Sequence, residues 1–81
     1  MGTPARGSVV AAVDQGTTGT TVCLLDRDAT VVGRGYTEIH PQFPRPGWVE
    51  QDPEELWRSV VDTVAAALAD AGRRPADLAA L

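Results

Sequence analysis

The sequence predicts an α/β fold with the order β-β-β-α, followed by the start of a fourth strand. Three observations lead there. Runs rich in β-branched residues recur at close spacing, at Val9–Val13, Val22–Leu25 and from Val31 on. The polar stretches between them are short enough to favour antiparallel hairpins. One later segment repeats apolar residues at three- and four-residue spacing behind a helix-start signal.

Each element has its own reason. Residues 1–8, MGTPARGS, carry one arginine and no apolar stretch, so they read as a disordered start and not as a secretory signal. Ser8–Val13 reads as a strand with no polar alternation, built to be covered on both faces. Asp14–Gly19 reads as a turn, since Gly16 and Gly19 can take positive φ at little cost. Thr20–Asp26 is the second strand and Asp26–Thr30 a polar turn. Val31–Ile39 is the third strand, thinned by Gly33 and Gly35, which suggest a bulge. His40–Gln51 holds three prolines and Gly47 and reads as a loop. Asp52 is a natural N-cap, Pro53 suits the first helical position, and Glu55 completes an Asp-x-x-Glu capping box. Leu56, Trp57, Val60, Val61, Val64 and Leu68 are expected on one buried face, with Trp57 in the core. Gly72 ends the helix, and Arg73 and Arg74 read as its solvated end. Leu78–Leu81 looks like the beginning of a further strand.

Composition narrows the function classes. With 81 residues the chain is at most one domain with a thin core. A net charge of −4, from 11 acidic and 7 basic residues, argues against a nucleic-acid partner. The longest apolar run, Val64–Ala69, is far short of a membrane span. One cysteine allows no internal disulfide and fits a reducing compartment.

The chemistry concentrates in VDQGTTGTT, residues 13–21. A glycine-containing turn between antiparallel strands can aim several backbone N–H groups at one point, a concavity suited to phosphate. The hydroxyls of Thr17, Thr18, Thr20 and Thr21 can add donors. Asp14 would repel bare phosphate but fits beside Mg²⁺, which keeps its water and would be reached through it. The stretch is not a Walker A loop, since it lacks that motif's order and its lysine. The same residues also suit a purely structural turn.

VDQGTTGT, then DRDATVVGRGYTEI, then FPRPGWVEQDPEELW together resemble the N-terminus of the FGGY carbohydrate kinases, most of all the glycerol kinases among them. The likeness runs from about Val9 to Leu81. It implies the N-terminal part of an actin-like, ribonuclease-H-like ATPase domain, over residues 9–81, with the second domain absent. It implies ATP and Mg²⁺ as cofactors, a small polyol such as glycerol as substrate, a cytoplasmic location, and an intact protein compatible with a homo-oligomer. By the same likeness Gly16, Thr17, Thr18, Gly19 and Thr20 contact ATP phosphates, Asp14 acts on the Mg²⁺ side, and Thr17 also lies near the transferred phosphoryl group. Thr21 stands where glycerol kinases commonly carry an arginine, a loss of one charge-assisted contact. The polyol-binding and catalytic residues of the family fall beyond residue 81. The chain therefore reads as an N-terminal fragment, poorly folded and inactive alone, with an open sheet edge where its last residues only begin a strand. Two other readings are a kinase of another polyol or sugar, and a non-catalytic fragment that folds with a partner chain.

The remaining conspicuous residues have plainer readings. Cys23 is expected to be a small buried hydrophobe, and His40 a solvent-facing loop residue. Trp48 either walls a substrate pocket or anchors its loop on the core. Glu50 and Asp52 form a close acidic pair in which Asp52 is better explained as the helix cap.

Overall fold

The computed structural model describes residues 7–81. The expected disordered start, residues 1–8, thus lies outside the described residues except for Gly7 and Ser8. The elements are β1 (Val9–Gln15), β2 (Gly19–Leu25), β3 (Val31–Glu38), α1 (Pro53–Ala71), a 3₁₀ turn (Pro75–Asp77) and β4 (Leu78–Ala80). They form one sheet of order β3-β2-β1-β4, covered on one face by α1.

The first two connections are hairpins, as expected, and both strand pairs are antiparallel. The first turn is shorter than the sequence suggested. Pairing runs on through Asp14↔Thr21 and Gln15↔Thr20, so only Gly16–Thr18 turn. β-branched Thr20 and Thr21 suit a pleated ladder better than a turn. The bulge expected in β3 is present at Val32, because Leu24 faces Gly33 while Leu25 faces Val31.

Alternation along β1 and β2 decides the core. Val9, Ala11, Val22 and Leu24 turn under the helix and pack with Ala67 and Leu68. Their neighbours Val10 and Ala12 face the other way and are exposed. The strand read as covered on both faces is therefore covered on one. Cys23, on the same uncovered side as Ala12, is half-buried and not buried as expected.

The helix is rotated relative to the sequence reading. Its buried residues are Ser59, Thr63, Ala67 and Leu68, while Trp57 is 64% exposed and Val61 48%. Trp57 is not core. The cause lies in β3, where the two glycines let the helix come close. A Cβ placed on Gly35 would sit 2.6 Å from the Thr63 carbonyl oxygen, and one on Gly33 2.7 Å from that of Ala67. A tryptophan has no room at such a seam, and small residues do. The polar members are satisfied. Thr63 Oγ1 donates to the Ser59 carbonyl and shares a 2.6 Å hydrogen bond with Thr37 Oγ1.

The helix ends follow local rules with one exception. Asp52 caps the start, its Oδ1 accepting from the Glu54 N–H at 2.9 Å. Glu55 does not close the expected capping box. Its carboxylate instead accepts the His40 backbone N–H at 3.0 Å and lies 3.7 Å from His40 Nδ1. His40 is exposed, as expected. At the far end Gly72 has φ 66°, and the N–H groups of Gly72 and Arg73 reach the carbonyls of Ala69 and Leu68. Arg74 is exposed, but Arg73 is half-buried with its Nε enclosed, so only one of the pair is a solvated end. Asp77 accepts the Arg74 backbone N–H, which holds its carboxyl below the usual range.

Two further expectations change. Leu78–Ala80 does form a strand, parallel to β1, so the edge expected to stay open beside β1 is occupied. In the loop after β3, Gln42 and Glu50 bridge through backbone bonds of 2.6 and 2.7 Å. Trp48 is 59% exposed under the Arg45 guanidinium and is not an anchor on the core.

The Asp26–Thr30 turn is held by Asp26 Oδ1, which accepts the Asp28 and Thr30 N–H groups. It also puts Ala29 at φ 61°, where a Cβ is strained. Ala29→Gly is expected to raise stability by about 0.5–1 kcal/mol, the relief of strain exceeding the added chain entropy. Urea midpoints of the two chains check it, and a lower midpoint for the glycine variant contradicts it.

Candidate functional site

The candidate site is the tip of the β1–β2 hairpin. Strand alternation splits its two key neighbours. Asp14 faces the uncovered side of the sheet in a row with Thr21 and Tyr36, each directly cross-strand from the next. Gln15 faces the helix, and its Nε2 lies 3.1 Å from the Leu56 carbonyl, 3.2 Å from Thr20 Oγ1 and 3.4 Å from Ser59 Oγ. The tip is thus pinned from below while the carboxylate of Asp14 stands free. Among the described residues that carboxylate has no hydrogen-bond or ion-pair partner.

Thr17 and Thr18 spend their carbonyls and keep their N–H groups. The Thr17 carbonyl accepts from Gln51 Nε2 at 3.2 Å. The Thr18 carbonyl accepts from the Ile39 N–H at 3.0 Å and the Tyr36 hydroxyl at 3.3 Å. The Gly16 N–H is used by the Gly19 carbonyl at 2.9 Å. Among the described residues the Thr17 and Thr18 N–H groups have no acceptor, and both side chains are exposed. Two free amides, two free hydroxyls and one carboxylate a few residues away make a site for an anion with a cation beside it.

Two sequence expectations are revised here. Thr20 is fully buried, and its hydroxyl bonds Ser59 Oγ at 2.7 Å. Ser59 donates onward to the Leu56 carbonyl, so Thr20 is the donor of that pair and its side chain belongs to the core. Neither Gly16 nor Gly19 takes positive φ. Gly19 makes room for a neighbouring side chain instead. The ring of Tyr36 lies over it, and a Cβ there would be 2.2 Å from the tyrosine hydroxyl. Tyr36, Gln51 and Ser59 escaped the sequence reading. Counting register outward from the second hairpin places Gly35 opposite Thr21, and only the bulge at Val32 moves Tyr36 into that position.

A single carboxylate cannot hold a metal alone, and among the described residues no three His, Cys, Asp or Glu side chains converge. The arrangement fits Mg²⁺ only as an ion carried by phosphate oxygens and water, with Asp14 in its outer shell. The shallow hollows of about 300 and 400 Å³ along α1 are lined by Glu54, Arg58 and their neighbours and include no hairpin residue. The hairpin tip is an open rim and not an enclosed pocket.

The family described as "FGGY family of carbohydrate kinases, N-terminal domain" matches residues 9–81. This chain belongs to the FGGY family. Its FGGY segment is 48% identical over 75 residues to the glycerol kinase of Agrobacterium fabrum, covering 93% of this chain and 15% of that protein. It is 51% identical over 72 residues to the glycerol kinase of Brucella ovis, covering 89% and 14%. A solved structure, a xyloylose kinase from Brucella ovis, superposes with a TM-score of 0.70 at 31% identity, over 75% of this chain and 13% of that one. The chain therefore spans about one seventh of the length of the FGGY relatives it matches. Among the described residues no helix is long and apolar enough to cross a membrane.

Proposed function

We propose that this chain supplies the phosphate-binding hairpin of a cytoplasmic, ATP-dependent glycerol kinase. The observation that carries the reading is the tip itself, where the Thr17 and Thr18 carbonyls are engaged while, among the described residues, their N–H groups have no acceptor. Those amides and the two threonine hydroxyls bind ATP phosphate oxygens, with the exposed Gly16 backbone allowing close approach, while Gly19 lies beneath the Tyr36 ring. Thr17 also lies beside the phosphoryl group in transit. Asp14 orients water on Mg²⁺, and the ion, when bound, neutralises charge on the phosphates. Thr20 contributes by fixing the hairpin base on the helix, and not by touching the nucleotide.

In phosphoryl transfer the protein works chiefly by positioning and electrostatics. This segment provides one side of such a site, so the 81 residues alone are expected to release no ADP in the presence of glycerol. Glycerol is favoured as substrate by the identity of 48–51% to glycerol kinases. A second reading, a pentulose or other sugar substrate, is favoured by the structural likeness to the xyloylose kinase.

The test uses an intact kinase carrying this segment, for instance the Agrobacterium fabrum enzyme with residues 9–81 exchanged for its own. Thr17→Val and Thr18→Val keep shape and remove a hydroxyl. Each is expected to raise the KM for ATP about 3- to 10-fold, the scale of one hydrogen bond to a charged acceptor. The KM for glycerol stays unchanged. An unaltered KM for ATP in both variants means the threonines serve the turn alone.

A further inference from the structure

We propose that Tyr36 is a positioning residue that latches the phosphate-binding turn in its open-amide form. The proposal rests on the nucleotide reading above for its purpose, but its geometry is independent of it. Tyr36 is 57% exposed on the uncovered sheet face, where little core packing holds it. Its ring nevertheless lies over Gly19 beside the turn, so close that a Cβ there would have to displace it. Its hydroxyl reaches past Gly19 to the Thr18 carbonyl at 3.3 Å. That carbonyl also takes the Ile39 N–H, so both of its lone pairs are engaged from β3 and the residue after it.

The consequence follows from peptide planarity. A carbonyl held down towards β3 fixes the plane of the Thr18–Gly19 peptide. With the Thr17 carbonyl held by Gln51, both peptide planes that meet at the Thr18 Cα are set, and the first of them carries the Thr18 N–H. Freed from the latch, the Thr18–Gly19 peptide can rotate and present an oxygen where an anion would bind. Gly19 and Tyr36 act as one unit, the glycine making room for the ring and the ring holding the turn.

The test is a double-mutant cycle with two readouts. The Tyr36 atoms nearest Gly19 are the far end of a side chain that can swing away. Gly19→Ala is therefore expected to displace the ring and to mimic Tyr36→Ala. In the exchanged-segment kinase, amide hydrogen exchange at Gly16 and Ile39, the amides that bond the Gly19 and Thr18 carbonyls, should quicken about 3- to 10-fold in either single variant. In the same protein the KM for ATP should rise about tenfold while kcat changes less than twofold. The double variant should be no worse than either single one, and Tyr36→Phe, which keeps the ring, should fall between wild type and Tyr36→Ala. Additive effects, or unchanged exchange in Tyr36→Ala, overturn the latch. Quickened exchange with no change in KM supports the latch and sinks the nucleotide reading instead.

Discussion

Asp14→Asn in an intact kinase carrying this segment is expected to lower kcat by about 100-fold, roughly 2.7 kcal/mol of transition-state stabilisation. The change is nearly isosteric, so the Asp14↔Thr21 pairing survives and stability stays put. What is lost is a negative charge at a position where no residue of this chain pairs with it, among those described. A charge left free at an anion site is costly unless a cation uses it. Its value is therefore realised only with the metal and the charge that develops during transfer. The KM for glycerol should change less than threefold, which separates this effect from a disturbed substrate site. Steady-state kinetics at varied Mg²⁺ checks it. An unchanged kcat at saturating metal would remove Asp14 from the metal side.

The second large effect is on stability. Gly35→Ala is expected to cost about 3 kcal/mol, at the upper end for overpacking. The new Cβ would press on the Thr63 carbonyl oxygen at 2.6 Å and the Ala67 nitrogen at 3.1 Å. Both are backbone atoms of one rigid helix and cannot step aside singly. The reduced freedom of the unfolded chain returns less than about 1 kcal/mol. Gly16→Ala is the control, since its Cβ would meet nothing nearer than 3.7 Å and its φ is not positive. Urea unfolding of both variants decides it. A cost below about 1 kcal/mol for Gly35→Ala would mean the helix rides away from the sheet easily.

The two predictions draw on features that were unequally visible in the sequence. Signals carried by adjacent residues were legible. Asp52, Pro53 and Gly72 mark the helix correctly because caps are local devices. The hairpin tip was legible for the same reason, since its acid, glycines and threonines are contiguous. The rotation of α1 was not. Hydrophobicity alone turns Trp57 inward, and only the approach of Gly33 and Gly35, far along the chain, makes Ser59, Thr63 and Ala67 the better fit. Thr20 was misread because its identity suits both a turn and a strand, and the register that buries it depends on where pairing stops. Glu55 was assigned to its own helix when a neighbouring backbone, that of His40, offered a partner. Tyr36 meets Gly19 only through the pairing of β2 with β3. In each case the missing information was a contact between residues distant in sequence.

The parallel pairing of β4 with β1 has a consequence for the order of folding. The β1–β2–β3 meander closes through short turns, so its contacts cost little loop entropy and can form early. Val9, by contrast, pairs with Leu78 from the opposite end of the chain. That contact waits until α1 has been laid across the sheet and has brought its far end back beside β1. The seam of Gly33 and Gly35 against Thr63, Ala67 and Ala71 is what lets the helix settle there. The glycines of β3 thus act on a strand they never touch. Substitutions at them would slow the final docking of β4, while substitutions within β4 itself would chiefly hasten its release.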